Sequence, residues 1–324
     1  MNSRVAGVCL VALWMLVFSL AVMTGSGIVD WADLLVSGTV SHQIVSEVRL
    51  PRALLASLLG GGLALAGASI QGVFRNPLAD PALIGISGGA ALFAASYLVI
   101  VPYSDFMLIG LSASAMLGGV LATGLVLLIG GRQTDVATLL LAGIAINAIC
   151  LAGVGLLSFL APEQRFRSVS FWALGSFNHV GWIDVFLGFV VLPGILRLMM
   201  LASVLDVLTL GDVEARHLGI QAKARRIEVI LWAALITGVS VSLVGIIAFV
   251  GLIVPHWVRM TIGARHVLVL PFSMIAGALL LIAADWLSRW LIAPIELPVG
   301  IVTTLLGAPL FVVLVARWSR GVWL

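Results

Sequence analysis

Apolar stretches of about twenty residues recur along the whole chain, and this repetition limits the folds that it can adopt. A helix needs about 20 mostly apolar residues to cross the hydrocarbon core of a bilayer. The stretches lie near residues 5–24, 53–73, 82–101, 107–130, 137–160, 183–205, 227–246, 247–261, 267–288 and 297–316. The sequence therefore predicts an all-α, polytopic membrane protein with about ten transmembrane helices.

Composition extends this prediction to the entire chain. Of its 324 residues, 62% are hydrophobic and only 10% are charged, whereas soluble domains carry roughly 25% charged residues. So few charges cannot cover a globule of this length, so most of the surface must contact membrane lipid. We expect residues 1–324 to form a single transmembrane domain. The net charge is only +3, and the basic residues flank apolar stretches, so nucleic-acid binding is not expected.

Two parts of this assignment have alternatives. The stretch near 5–24 follows Arg4 and resembles a signal peptide, but it is long enough to span and lacks a convincing small-residue cleavage site. It is therefore interpreted as a retained first span. Residues 227–258 read as one long apolar stretch, and Gly245 and Gly251 are the predicted bend between the seventh and eighth spans.

Basic residues predict the orientation. With the N-terminus in the cytoplasm, the outer side holds Arg49, Arg52, Arg165, Arg167 and Arg289, and Arg197 falls inside a span. The larger, inner group comprises Arg4, Arg75, Arg132, Arg216, Lys223, Arg225, Arg226, Arg259, Arg265, Arg317 and Arg320. This excess follows the positive-inside rule, so both termini are predicted to be cytoplasmic.

Several kinds of chemistry are missing from the sequence. Ion-coupled transporters usually keep carboxylates or histidines at mid-membrane, but here the acidic residues fall near span ends. The single lysine, Lys223, lies in no G-x-x-x-x-G-K-[ST] motif, so the chain has no P-loop of its own. Cys9 and Cys150 lie in separate apolar stretches, and no catalytic or metal-ligand group is recognisable. We expect a non-catalytic chain that binds no cofactor and no metal.

The longest polar stretch, residues 206–226, is a candidate docking surface for an ATPase. Thr209 is a candidate N-cap for a short helix with Asp212 and Glu214 in its first turn, and Gly219 stands where such a helix would end. An ordinary basic loop that fixes topology explains the same residues, and the residues alone do not separate the two interpretations.

Six motifs resemble the permeases that import iron-siderophores, haem and cobalamin, the FecCD type of ABC importer permease, and they follow one another in family order. They are Arg-Leu-Pro-Arg at 49–52, Arg-Asn-Pro-Leu-Ala-Asp-Pro at 75–81, Leu-Leu-Leu-Ala-Gly at 139–143, Leu-Gly-Asp-Val-Glu-Ala-Arg-His-Leu-Gly at 210–219, Gly-Leu-Ile-Val-Pro-His at 251–256 and Glu-Leu-Pro-Val-Gly at 296–300. The resemblance implies the type II ABC importer permease fold, with spans 2–5 and 7–10 as inverted repeats.

The resemblance also implies partners. It implies a homodimer in the bacterial inner membrane, two ATP-binding subunits on the cytoplasmic side that hold ATP and Mg, and a periplasmic substrate-binding protein. The substrate path would follow the dimer axis. The coupling segment that contacts the ATPase would comprise Leu210, Gly211, Asp212, Val213, Glu214, Ala215, Arg216, His217, Leu218 and Gly219.

The same resemblance implies a docking role for three arginines on the predicted outer side. Arg49, Arg52 and Arg289 match positions that face carboxylates on the binding protein, and the planar guanidinium group suits such pairing. No carboxylate close in sequence is an evident partner for Arg289. The alternative is that these side chains only snorkel to the membrane interface.

The resemblance places a cytoplasmic gate at two loops. Its residues would be Asn76, Leu78, Asp135, Val136, Ala137 and Thr138. The second loop differs from that of the cobalamin permease, in which small hydroxyl residues replace Asp135-Val136-Ala137.

Residues 74–81 and 171–176 look most similar to haem permeases, so haem ranks first, a ferric siderophore second and cobalamin third. The spans offer chiefly small and aliphatic side chains with a few polar ones, such as Ser69, Gln71 and Asn147, which suits a large chelate that slides without being gripped. The alternative from another class is a stand-alone ion-coupled transporter, which would need the buried charges that this chain lacks. A membrane enzyme has no catalytic group to support it.

Overall fold

The computed structural model describes residues 3–25, 39–102, 107–131 and 136–319, with side chains as far as residue 313 of the last helix. The described residues form helices and connecting turns, without a β-strand. The first half contains α1 (Ser3–Met23), α2 (Val40–Gln43), α3 (Leu50–Phe74), α4 (Ile86–Ile100), α5 (Met107–Gly130), α6 (Val136–Leu160) and α7 (Glu163–Ala173). The second half contains α8 (Trp182–Gly188), α9 (Leu192–Met200), α10 (Ala202–Leu210), α11 (Asp212–His217), α12 (Ala222–Val244), α13 (Val250–Ile262), α14 (His266–Ser288) and α15 (Val299–Ser319).

Helix lengths confirm the predicted architecture. Within the described residues, 7 helical segments are long and apolar enough to cross a membrane, and three shorter apolar helices accompany them. The shorter ones are α4, α13 and the part of α15 up to Val313. Together they account for the predicted spans, and most helix ends lie within a few residues of the apolar stretches.

The sixth predicted span, 183–205, is divided in the structure. It consists of α8, a 3-10 turn at Phe189–Val191 and α9, and α10 follows directly. Pro193 occupies the first turn of α9, where its missing N–H group costs no intrahelical hydrogen bond. A proline cannot continue the preceding helix in the same way, so the stretch breaks there.

Of the two glycines predicted to form the bend between the seventh and eighth spans, one lies there and the other does not. Helix α12 ends at Val244, and Gly245 follows with φ 77°, a conformation that glycine adopts without steric cost. Gly251 is not at the bend, because it lies within α13. A Cβ atom at Gly67 of α3 would collide with the backbone of Gly251. The sequence signal at Gly251 therefore reflects close helix packing.

Helix α3 lies at the centre of the described bundle and is buried along almost its whole length. It packs against α14, α12 and α13. Gly60 of α3 and Gly277 of α14 approach so closely that a Cβ atom on either would meet the other's carbonyl group. The two ends of α3 carry Arg52 and Arg75, so this helix connects the predicted outer charges with the predicted inner ones.

Candidate docking, coupling and gate sites

The predicted outer arginines belong to a cluster of charged side chains where α3 begins and α14 ends. The Nη2 atom of Arg52 lies 2.8 Å from Oδ1 of Asp285, and its Nη1 atom lies 2.7 Å from Oε2 of Glu296. The side chain of Arg52 is 5% exposed and that of Asp285 is fully buried. This bidentate contact joins α3 to α14 across the bundle and leaves little room for water.

The other two arginines hold the end of α1. Arg289 donates from Nη2 to the carbonyl oxygen of Ala21 at 3.0 Å, and Arg49 donates from Nη1 to that of Met23 at 3.1 Å. Both carbonyls lie in the last turn of α1, where carbonyl groups lack intrahelical partners and cations are favourable. All three arginines therefore bind partners inside the subunit. This arrangement differs from the alternative in which their side chains only snorkel to the membrane interface.

Arg289 also corrects one expectation from the sequence. Its Nη2 atom lies 3.5 Å from Oδ2 of Asp285, one turn earlier in α14, so a carboxylate close in sequence does lie beside it. Burial lowers the pKa of Arg289 and Asp285 opposes that effect, but an arginine stays charged in proteins. Among the described residues, the three arginines outnumber the carboxylates of Asp285 and Glu296, and their contact with a binding protein stays a prediction.

The predicted coupling segment contains a short helix, α11, whose N-terminus differs from the expectation. Gly211, with φ 134°, precedes the helix, whereas Thr209 lies within α10 and donates its hydroxyl hydrogen to the carbonyl of Asp206. Thr209 cannot cap α11 because α10 continues through it to Leu210. The acidic first turn with Asp212 and Glu214 is confirmed, and Gly219 follows the helix with φ 76°.

Large apolar side chains lie on and beside α11, and the described residues leave them uncovered. Leu210, Val213 and Leu218 are 63%, 59% and 62% exposed, while Ala215 is buried against the bundle. Charged residues alternate with them along the helix, unlike the uniformly apolar lipid-facing helices. An apolar surface with a polar rim is typical of a protein-binding site.

Two aspartates fix this segment to the bundle. The carboxylate of Asp212 accepts hydrogen bonds from Arg75 at 2.6 Å and Arg226 at 2.7 Å. Oδ1 of Asp206 lies 2.7 Å from both the backbone nitrogen and Nδ1 of His266. Sequence reasoning missed these pairs, since the partners lie between 14 and 137 residues apart along the chain.

The first predicted gate loop has a defined structure. Arg75 ends α3 in the left-handed conformation, and the backbone N–H of Asn76 reaches back to the carbonyl of Gln71. The Asn76 side chain accepts a hydrogen bond from the N–H of Leu78. Asp80 caps the next turn by accepting from the N–H of Ala82, and burial raises the pKa of the Asp80 carboxyl.

The second predicted gate loop is only partly described. Val136 is half-buried and Ala137 and Thr138 are exposed at the start of α6, whereas Asp135 lies outside the described residues. The gate assignment stays a prediction.

The polar side chains predicted to line the path are engaged inside the subunit. Gln71 donates to the carbonyl of Leu252 at 3.1 Å and accepts from Arg259. Asn147 donates to the carbonyl of Ala82 and accepts from the N–H of Gly88. Within the described part of the chain, no three His, Cys, Asp or Glu side chains are placed to hold a metal ion.

Comparison with known proteins decides the family. The sequence profile of the FecCD transport family matches residues 12–317. The chain belongs to the FecCD transport family.

The relatives of this FecCD protein are named for different substrates. It is 43% identical over 277 residues to the hemin transport system permease protein of Yersinia pestis, an alignment that covers 84% of this chain and 82% of that protein. It is 39% identical over 281 residues to the vitamin B12 import system permease protein of Vibrio cholerae. This alignment covers 86% of this chain and 84% of that protein.

A solved structure confirms the predicted permease fold. An inward-facing structure assigned to a metal-chelate type ABC transporter superposes with a TM-score of 0.86 at 33% identity, covering 95% of this chain and 97% of that one. This FecCD protein is therefore a multi-span permease subunit of the ABC transporter class.

Proposed function

We propose that this FecCD permease is the membrane subunit of an ATP-driven importer that moves an iron chelate, with haem ranked first, into the bacterial cytoplasm. The observation that carries the proposal is the family match over residues 12–317. The sequence has no P-loop, so a separate pair of ATP-binding subunits with ATP and Mg would supply the energy. We place the protein in the inner membrane with both termini in the cytoplasm.

The surface around α11 supports an ATPase partner. Leu210, Val213 and Leu218 are exposed beside polar residues, and a groove on a partner subunit would remove these apolar side chains from water. Leu210 to Gly219 would form this contact. Coupling to a soluble subunit also explains why α11 is short, because a six-residue helix is too short to span a bilayer.

An exposed face of α6 supports a homodimer. Small residues lie along this face and are exposed in the described structure; they are Ala145, Ala148, Ala152 and Gly155. Small side chains allow two helix backbones to approach closely in a membrane. We propose that a second copy of the chain packs near this face and that the substrate path lies between the two copies.

The outer charge cluster supports a periplasmic binding protein as the third partner. Within the described part of the chain, Arg49, Arg52 and Arg289 place three positive charges near the two negative charges of Asp285 and Glu296. This excess would attract acidic residues on a binding protein and guide its approach. Docking contacts would have to compete with the internal bonds of the arginines.

The choice of haem rests on similarity and on size. The identity to the hemin permease is 43% and that to the vitamin B12 permease is 39%. The amides of Gln71 and Asn147 are engaged inside the subunit, so they do not offer free ligands for a small ion. Haem has apolar faces, and its propionates would suit the outer arginines.

Uptake by the complete complex tests the substrate. The permease, its ATPase and its binding protein would be reconstituted in proteoliposomes, with haem, a ferric siderophore and cobalamin supplied in parallel. We expect haem both to stimulate ATP hydrolysis and to accumulate. If haem does neither while another chelate does both, the substrate assignment is wrong and the importer assignment stands.

A further inference from the structure

Asp212, the first residue of α11, forms ion pairs with arginines of two helices of the bundle. Its Oδ1 atom accepts from Nη2 of Arg75 at 2.6 Å and from Nη2 of Arg226 at 2.7 Å. Arg75 ends α3, and Arg226 lies in the first turns of α12. The side chain of Arg226 is 4% exposed, whereas that of Asp212 is 45% exposed. One carboxylate on the candidate ATPase-binding surface thus contacts both α3 and α12.

Arg75 occupies a position where glycine is favoured. It has φ 50°, and the N–H groups of Arg75 and Asn76 bond to the carbonyls of Gly72 and Gln71. This pattern is a Schellman motif, whose left-handed residue is usually glycine. An arginine is strained there, but its side chain makes two contacts that a glycine could not make. Besides Asp212, it donates from Nε to the carbonyl of Leu208 at 3.1 Å.

Helix α10 ties the same unit to a third helix. Asp206 accepts from the backbone N–H of His266, the first residue of α14. Leu205 and Leu208 of α10 are buried in the bundle. Only Gly211 separates α10 from α11. A displacement of α11 would therefore either carry α10 with it or change the angle between the two helices at Gly211. Of the tethers described, the Asp212–Arg75 contact leads directly into the first gate loop, since Asn76 and Leu78 follow Arg75.

We propose that Asp212 is a positioning residue that passes movement of α11 to the end of α3, and so to the loop that contains Asn76 and Leu78. This inference rests on the proposed function, in which an ATPase contacts α11. Movement of α11 would pull Arg75 through its ion pair, and the Schellman motif would transfer that displacement to the backbone of Asn76. Without the pair, the ATPase would still bind the exposed apolar side chains but would move the gate loop less.

The test compares substrate moved per ATP hydrolysed in proteoliposomes of the complete complex. The Asp212→Asn variant keeps the size of the side chain and removes its charge. We expect its complex to assemble and hydrolyse ATP, with the transport ratio lowered by roughly tenfold, a typical size for coupling between distant sites. Arg75→Gln should lower the ratio at least as much, because it also removes the hydrogen bond from Nε to the carbonyl of Leu208. The loss in the double variant should be smaller than the two single effects combined, because both variants remove the Asp212–Arg75 pair.

Glu228→Gln is the matched control. Glu228 also joins two arginines, Arg197 at 2.6 Å and Arg225 at 2.7 Å, but these ion pairs connect α9 with α12 rather than with α11. We expect this variant to keep the wild-type ratio. An unchanged ratio in Asp212→Asn, an equal fall in Glu228→Gln, additive effects in the double variant, or loss of ATPase binding would each overturn the inference. A wild-type complex without ATP-dependent uptake would instead refute the proposed function.

Discussion

At the scale of single residues, the outer charge cluster shows how an ionic pair can join two central helices inside a membrane protein. Arg52 and Asp285 are both almost completely buried, so each depends on the other for its charge to be tolerated. Glu296, which is 24% exposed, gives Arg52 a second partner nearer to the surface. The cluster therefore has a structural role, whatever its role in docking.

Removing Arg52 should destabilise the fold. Arg52→Ala leaves Asp285 buried beside fewer cations, and we expect the free energy of unfolding to fall by about 3–5 kcal/mol. Arg167→Ala is the control, because its ion pair with Glu163 is 69% and 79% exposed and should contribute about 1 kcal/mol or less. Unfolding of the purified variants in detergent measures both. Equal effects from the two substitutions would contradict the buried-pair interpretation.

Reversal of Arg49 should test docking with less damage to the fold than reversal of Arg52. Arg49 donates to the carbonyl of Met23, whereas Arg52 holds two carboxylates directly. We expect Arg49→Glu to weaken binding of the periplasmic protein by about tenfold at low salt. The loss should be smaller at high salt, because salt screens the long-range attraction between the two proteins over about 10 Å at 0.1 M.

Arg167→Glu provides the comparison for this measurement. It reverses a charge on the same predicted side, outside the cluster. Binding affinities from titration at two salt concentrations would be compared, with unfolding measured in parallel. Unchanged affinity in Arg49→Glu, or an equal loss in both variants, would count against a specific docking role.

At the scale of helices, close backbone contacts hold α3 in place. A Cβ atom at Gly67 would meet the carbonyl of Gly251, and Gln71 and Arg259 connect the same two helices one turn further along. Glycine at this position removes the side chain that would separate α3 from α13.

Gly67→Ala should therefore be harmful although alanine favours helices. We expect a loss of about 1–3 kcal/mol in the free energy of unfolding, because the added methyl group forces the backbones apart. Gly124→Ala is the control, since a Cβ atom there meets nothing within 4 Å, and it should be neutral or slightly stabilising. Unfolding in detergent would measure both, and a neutral Gly67→Ala would show that α3 and α13 can separate without cost.

Helix positions could be predicted from the sequence because apolar length alone determines which segments lipid can cover. The exceptions have local causes. Pro193 divides the sixth span, and Gly251 serves packing rather than a bend. Side-chain partners could not be predicted, because Arg52 and Asp285 lie 233 residues apart and only the fold brings them together. The i, i+4 spacing of Asp285 and Arg289 was a local signal of their pairing.

The candidate coupling segment was also predictable only in part from the sequence. Its position, its acidic first turn and its terminal glycine were predictable from local composition. Its N-terminus was not, because α10 continues into the residue expected to cap α11. The contacts of Asp212 with Arg75 and Arg226 required the tertiary structure.

At the scale of the whole molecule, the chain is a multi-span permease subunit of the ABC transporter class. Its sequence contains no P-loop, and its acidic residues lie near helix ends. The chain belongs to the FecCD transport family, and our proposal assigns the source of energy to a partner that contacts the exposed apolar residues around α11. The central claim is therefore that transport depends on a separate ATPase.

Uptake of a labelled chelate into proteoliposomes tests this claim most directly. The permease would be reconstituted alone, with the ATPase and binding protein without ATP, and with both proteins and ATP. We predict concentrative uptake only in the last case, and no ATP hydrolysis by the permease alone. Concentrative uptake by the permease alone, driven by a proton or ion gradient, would contradict the account.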